Sequence, residues 1–200
     1  AVETLGTQGW WQFINTLELL LEAKNEVEEA TAGEAETVFI TGDLAIGHGW
    51  SNFQEADYEF LNKIEEIKGK LWFESWTPPE GVTDLTLLSN LMAIENLDVR
   101  HGQLEAFTGL EGITSIHSGV YIYNTGQMQN LTGLDNLKSI RGGLHIERGG
   151  FQNLDGLGSL EALDWLRVWK AGDLTSLNGI TSLQTVTGNV EIYLNSNLES

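Results

Sequence analysis

A repeated unit of roughly two to three dozen residues accounts for most of this chain. One copy starts with the apolar pair Val120 and Ile122, passes through a polar bend, and continues with Leu131, Gly133 and Ile140. The same pattern begins again at Leu71, Leu97, Leu144, Leu166 and Val190. Self-similarity at a fixed period of this length is the signature of a solenoid, in which each unit forms one rung and stacks on its neighbours.

Apolar residues recur with two different spacings, one after the other, within each unit. The apolar-x-apolar pair predicts a strand whose first and third residues point inward. Apolar residues at every third position then predict tight three-residue turns rather than a long α-helix. A glycine recurs at 109, 133, 156 and 179, which predicts a bend where the backbone takes a positive φ or approaches its neighbour closely. The predicted fold is mainly β: a leucine-rich solenoid of about six to seven rungs with one parallel sheet.

Residues 1–36 lie outside the repeat, and residues 37–200 form the predicted solenoid. Between Trp10 and Val27, apolar residues recur at helical spacing with acidic residues on the other side. This pattern predicts an N-terminal α-helix that caps the open end of the stack, because the end of a solenoid needs a capping element with a polar outer face. A membrane-surface helix is the alternative, but its polar side would usually be basic.

Two insertions and the end of the chain depart from the regular unit. The first rung carries a capping-box start at Ser51 and Gln54. A helical stripe is predicted to follow it at Phe53, Tyr58, Leu61, Ile64 and Ile67. A second insertion includes Trp76 and Gly81. The sequence stops within a unit near Leu198, which predicts an uncapped last strand that continues into another rung or associates end to end with a second copy.

The charge balance narrows the classes of partner. Ten Lys plus Arg stand against twenty-nine Asp plus Glu, a formal charge of −19. A chain this acidic is repelled by nucleic acid and by anionic bilayers, so we expect neither as a partner. No apolar run is long enough to span a membrane, so no insertion is expected. The chain contains no cysteine, which excludes disulfides, thiolate metal sites and cysteine nucleophiles.

The repeated unit resembles that of the receptor L domain. The residues that carry the resemblance run from Leu177-Asn-Gly-Ile180 through Gly188 to Asn197-Leu198 and their equivalents in earlier units, over residues 38–200. This family includes the ectodomain modules of the insulin and epidermal growth factor receptors and occurs in bacterial and fungal surface proteins. The resemblance implies a right-handed solenoid, an extracellular or cell-surface location, and ligand binding. The absence of cysteines departs from the animal domains.

The outward residues of the predicted strands are the candidate binding site. One row is predicted to contain Trp72, Asp98, Tyr121, His145 and Arg167, continuing to Glu191. A second row is predicted to contain Glu74, Arg100, Tyr123, Glu147, Trp169 and Tyr193. Aromatic residues and arginine are enriched at binding hot spots, and flat rings flanked by charged groups also suit sugars, so the expected ligand is a protein or a carbohydrate. The alternative is that such residues simply favour exposed strands and pair across rungs.

The outward residues fit catalysis or metal binding less well than they fit ligand binding. Two glycosidase carboxyl groups lie about 5 to 9.5 Å apart, whereas Glu74 and Glu147 are expected ~14 Å apart and Asp98 and Glu147 at least ~10 Å apart. Arg100 and Arg167 would keep these acids ionised. The four histidines are scattered, so no metal or cofactor is expected, although a weak surface calcium site is left open. A non-catalytic binding module is therefore the leading hypothesis, followed by a structural spacer and then a polysaccharide-active enzyme.

Overall fold

The computed structural model describes residues 2–5, 37–47, 59–74 and 83–199, with the backbone alone for 2–5, 47 and 74. Three predicted features lie outside the described residues and stay predictions: the capping helix between Trp10 and Val27, the capping box and start of the helical stripe at residues 51–58, and the insertion after Glu74. The described strands are β1 (Val2–Leu5), β2 (Val38–Ile40), β3 (Leu44–Gly47), β4 (Ile64–Glu74), β5 (Ala93–Arg100), β6 (Ser115–Tyr123), β7 (Ser139–Glu147), β8 (Ala162–Trp169), β9 (Thr185–Val186) and β10 (Val190–Tyr193). A 3-10 helix covers Thr86–Leu88, and residues 59–61 are helical.

These strands form one parallel sheet in the order β1-β2-β4-β5-β6-β7-β8-β10, with β3 paired to β4 and β9 paired to β8. Each long strand therefore pairs with the strand of the next rung, which confirms a mainly β solenoid of about six turns. The inward residues stack in columns: Leu97 lies beside Val120, and Leu144 lies beside Leu166. Within the described ranges, no helix is long and apolar enough to cross a membrane.

The three-residue turns and the glycine bend are confirmed. In one rung the Leu134 N–H donates to the Leu131 carbonyl at 3.1 Å, and the Leu137 N–H donates to the Leu134 carbonyl at 2.9 Å. Gly133 between them has φ +104°, and a Cβ there would lie 2.1 Å from the carbonyl carbon of Phe107 in the preceding rung. Both predicted reasons for glycine, a positive φ and a close backbone approach, therefore apply at once.

The inward rows form a continuous apolar core, with one correction at its last member. Leu97, Val120 and Leu144 are fully buried and Leu166 is nearly so, but Val190 in the same column is 53% exposed. Val190 lies on β10, the last strand of the sheet, where no described rung packs on its outer side. The prediction that Val190 belongs to the buried row was therefore wrong.

The helical stripe predicted in the first rung is corrected at its last two members. Leu61 is helical and buried, but Ile64 and Ile67 belong to strand β4. Ile64 pairs with Val38 on one side of β4, and Ile67 pairs with Ile94 on the other. Pairing with two neighbouring strands satisfies the backbone along the whole segment, and such tertiary pairing overrides a local helical period.

Candidate ligand-binding face

The two outward rows have the register that the sequence predicts. The first row pairs Trp72 with Asp98, and Asp98 with Tyr121; it continues through His145, Arg167 and Glu191. The second row runs Glu74, Arg100, Tyr123, Glu147, Trp169 and Tyr193. We call these two rows the strand face. The placement of all eleven candidate residues in these rows is confirmed, and their role in ligand binding stays a prediction.

A buried carboxylate anchors the N-terminal part of the strand face. Asp98 is only 3% exposed and accepts two hydrogen bonds from Arg100, from Nε at 2.7 Å and from Nη2 at 2.8 Å. The Lys70 ammonium lies 3.5 Å from the same carboxylate and 5.7 Å from the ring centroid of Trp72. Two cations therefore share one acid, and the bidentate pair holds the guanidinium in a fixed orientation.

Tyr123 lies at the centre of a second cluster. Arg148 Nη1 donates to the Tyr123 hydroxyl at 2.6 Å, and the guanidinium carbon lies 5.7 Å from the Tyr123 ring centroid. The same Nη1 lies 3.4 Å from the carboxylate of Glu147, which is buried. The His101 ring meets the Tyr123 ring edge-on at 5.0 Å. These contacts order Tyr123 before any ligand arrives.

A third cluster joins Tyr121, His145 and Trp165. Their ring centroids lie 6.1 to 6.4 Å apart in edge-on arrangements. Burial lowers the pKa of His145 from its usual value, and the nearby Arg167 guanidinium lowers it further, while Glu147 and Glu191 act in the opposite direction. The imidazole is therefore neutral at pH 7 and packs as an aromatic ring.

The C-terminal part of the face carries the remaining aromatic side chains. Trp169 and Tyr193 stack with centroids 5.6 Å apart, and the Lys170 ammonium lies 4.4 Å from the Trp169 centroid. Arg167 Nε donates to Glu191 Oε2 at 2.7 Å. This hydrogen bond lowers the pKa of Glu191 and raises that of Arg167. Both groups therefore stay charged at neutral pH.

Three basic residues at the edge of the face were not predicted from the sequence as site residues. His101, Arg148 and Lys170 follow their strands with φ of 51° to 54°, and Asn124 and Leu194 take φ of 56° and 57° in the equivalent place of other rungs. This left-handed conformation is uncommon for residues other than glycine. Asn195, one residue beyond this position in the last rung, caps backbone groups: its side chain accepts from the Ala171 N–H at 2.9 Å and donates to the Val168 carbonyl at 3.0 Å.

Trp165 is likewise not among the candidate residues that the sequence predicts. The structure places it one position before the inward pair, in register with Gly143 of the preceding rung. A Cβ on Gly143 would lie 2.0 Å from the indole, so one side of the ring lies against this glycine. The signal in the sequence is the pair Gly119 and Gly143 in this column, since small residues leave room for a large side chain of a neighbouring rung.

The strand face is nearly neutral within a strongly acidic molecule. With its edge and the residue before the inward pair, it holds five of the ten basic residues of the chain: Lys70, Arg100, Arg148, Arg167 and Lys170. Its acidic residues number four when Glu74 is counted from the sequence, the others being Asp98, Glu147 and Glu191. The formal charge of the face is therefore close to zero, whereas the whole chain carries −19.

The described acids of this face are engaged in ion pairs. Asp98, Glu147 and Glu191 each lie within 4 Å of an arginine. In the part of the chain that the structure describes, no three His, Asp or Glu side chains come close enough to hold a metal ion. The arrangement is chemically suited to stacking and hydrogen bonding.

Comparisons with known proteins add no family to this description. The chain matches no protein-family model, no curated protein and no solved structure. The resemblance to the receptor L domain therefore depends on the repeated unit alone.

Proposed function

We propose that this protein is a non-catalytic recognition module that binds a carbohydrate or protein ligand on the strand face. We further propose that the solenoid is of the receptor L domain type and acts outside the cell or at its surface. The repeated unit and its strand register support the receptor L domain type. The occurrence of such modules in surface proteins supports a location outside the cell or at its surface.

The observation that carries the proposal is the mutual ordering of the aromatic and guanidinium groups. Tyr123 is held by Arg148 and His101. Trp169 contacts Tyr193 and Lys170, and Trp165 lies against Gly143. A side chain that is already immobilised loses little conformational freedom on binding, which otherwise costs about 0.5 to 1.5 kcal/mol for each rotamer-rich side chain.

The charge distribution favours a ligand whose binding does not need electrostatic attraction to the protein's net negative charge. A basic partner would be drawn to the acidic surface everywhere, whereas the strand face is nearly neutral and rich in rings. Aromatic residues and arginine dominate the energetics of interfaces where shape and stacking decide affinity. A neutral or mixed-charge ligand therefore fits this face better than a polycation.

An enzymatic role is less well supported by the same geometry. General acid catalysis needs a carboxyl group whose pKa is raised toward neutrality. Arginine lies against each described acid of the face, and the pKa of Glu191 is lowered. We propose that the protein releases no reducing sugar from any polysaccharide to which it binds.

The second candidate function is a structural spacer that associates end to end. The observation that favours it is the apolar edge of the last rung, where Val190 is 53% and Leu194 64% exposed. Sedimentation equilibrium over a range of protein concentrations tests it: self-association that is lost in Val190→Lys supports the spacer, and a monomer at every concentration contradicts it.

The double variant Tyr123→Ala and Trp169→Ala tests the binding proposal. The wild-type chain is screened on glycan and protein arrays, and the variant is then compared on every hit. The matched control replaces Met92 and His117, two exposed side chains outside the strand face, by alanine. The proposal is supported if the Tyr123→Ala and Trp169→Ala variant loses binding while the control variant retains it. Retention on every hit, or no hit for the wild type, overturns it.

A further inference from the structure

We propose that a groove beside Trp165 is a subsite for one neutral pyranose unit, with the indole as its stacking platform. The inference rests on the proposed binding function and assigns a ligand class and a place to it. The groove has a volume of about 440 Å³, within the range of about 300 to 1,000 Å³ of small-molecule sites. Its lining includes Trp165, Asp164, Arg167, Thr187, Asn189 and Glu191.

The indole packs against the two preceding rungs. Gly143 and Tyr121 belong to the two rungs before that of Trp165, and both contact the indole. Thr187, Asn189 and Glu191, by contrast, belong to the following rung. The groove therefore opens along the side of the indole that faces away from Gly143. The C–H side of a pyranose can lie on such a ring, since its apolar surface is buried there while its hydroxyl groups remain at the rim.

The rim supplies both donors and acceptors. Asp164 accepts a hydrogen bond from the Thr187 hydroxyl at 3.0 Å, and a carboxylate with about four lone-pair positions retains further capacity. Arg167 uses Nε for Glu191, and a guanidinium has four more N–H donors. The Asn189 amide adds one donor group and one acceptor group. Sugar hydroxyls donate and accept at once, so this mixture suits them.

The charges of the groove disfavour charged sugars. Asp164 and Glu191 disfavour the carboxylate of a uronic acid or the sulfate of a sulfated sugar. A cationic amino sugar would compete with Arg167, whose guanidinium carbon already lies 6.0 Å from the Trp165 centroid. Like-charge repulsion then opposes a second cation over the same ring. A neutral ring remains as the ligand class that meets no unfavourable charge.

Titration calorimetry with hexasaccharides tests the subsite. The neutral probes are hexamers of glucose, mannose and N-acetylglucosamine, and the charged probes are hexamers of galacturonate and of unacetylated glucosamine. We expect at least one neutral hexamer to bind and both charged ones to bind more weakly. Trp165→Ala should weaken neutral binding about tenfold or more. Trp165→Phe should retain part of it, and Asn189→Ala, at an exposed position, should weaken it several-fold.

The outcomes separate this inference from the function on which it rests. If neutral hexamers bind and Trp165→Ala has no effect, while Tyr123→Ala with Trp169→Ala abolishes binding, the subsite is wrong and the binding face stands. The same holds if no hexamer binds but a protein array yields a hit that depends on the face. Tighter binding of either charged hexamer also overturns the inference. If no array or hexamer shows binding, both proposals fail.

Discussion

Replacing Gly133 by alanine should weaken the stack of rungs far more than replacing Gly158, a glycine of the next rung. Gly133 has φ +104°, and its new Cβ would lie 2.1 to 2.2 Å from the carbonyl group of Phe107. Around Gly158, by contrast, an added Cβ would have no heavy atom within 4 Å. The two substitutions add the same methyl group. The difference between their effects on the free energy of unfolding therefore measures how closely successive rungs approach each other at Gly133.

The expected cost has two parts. Holding a residue other than glycine at such a φ costs about 1 to 3 kcal/mol. Forcing an extra carbon into a packed backbone contact costs a further 1 to 3 kcal/mol, roughly. Gly133→Ala should therefore lower the free energy of unfolding by about 2 to 6 kcal/mol, while Gly158→Ala should change it by about 0.5 kcal/mol or less.

Urea unfolding followed by far-UV circular dichroism measures both variants against the wild type. In thermal melts, at about 2 to 4 °C for each kcal/mol in a chain of this size, Gly133→Ala should lower Tm by at least about 4 °C. A Gly133→Ala variant as stable as Gly158→Ala would refute the reasoning, because the backbone of residue 133 could not then lie against the preceding rung.

Two further predictions concern stability. Leu144→Ala should cost about 2 to 5 kcal/mol because its side chain is fully buried, whereas Val190→Ala in the same column should cost about 0.5 kcal/mol or less; equal costs in chemical denaturation would contradict the exposed edge. The lowered pKa of His145 means that the unfolded chain binds its proton more tightly, so the free energy of unfolding should fall as pH drops below about 6.5. His145→Gln should reduce this fall when urea unfolding is compared at pH 7.5 and pH 5.5, and an unchanged pH dependence would contradict it.

The register of the strand face could be predicted from the sequence because a rung has no freedom to slip. Inward Leu144 and Ile146 must align with Val120 and Ile122, and a shift by one residue would move every apolar side chain outward. Once the inward columns are fixed, the outward pairs such as Tyr121 with His145 follow. The glycine bend could be predicted for the same reason, since it recurs at one place in every rung.

The features that could not be predicted depend on contacts between rungs rather than on the period within one. Trp165 lies just before an inward pair, and its contact with Gly143 belongs to the neighbouring rung, so the pattern within one unit does not show it. Arg148 and Lys170 occupy a left-handed position that sequence assigns to glycine or asparagine, so their contacts with Tyr123 and Trp169 were not foreseen. The helical spacing of Ile64 and Ile67 gave the correct inward side but the wrong element.

The most direct test of the strand face as a binding surface is a nuclear magnetic resonance titration of the seven tryptophan indole N–H signals. The protein is labelled with nitrogen-15, each signal is assigned by a Trp→Phe variant, and the tightest-binding neutral hexasaccharide is added. We expect the signal of Trp165 to shift most, followed by those of Trp169 and Trp72. A titration to saturation in which none of these three signals moves would contradict the account.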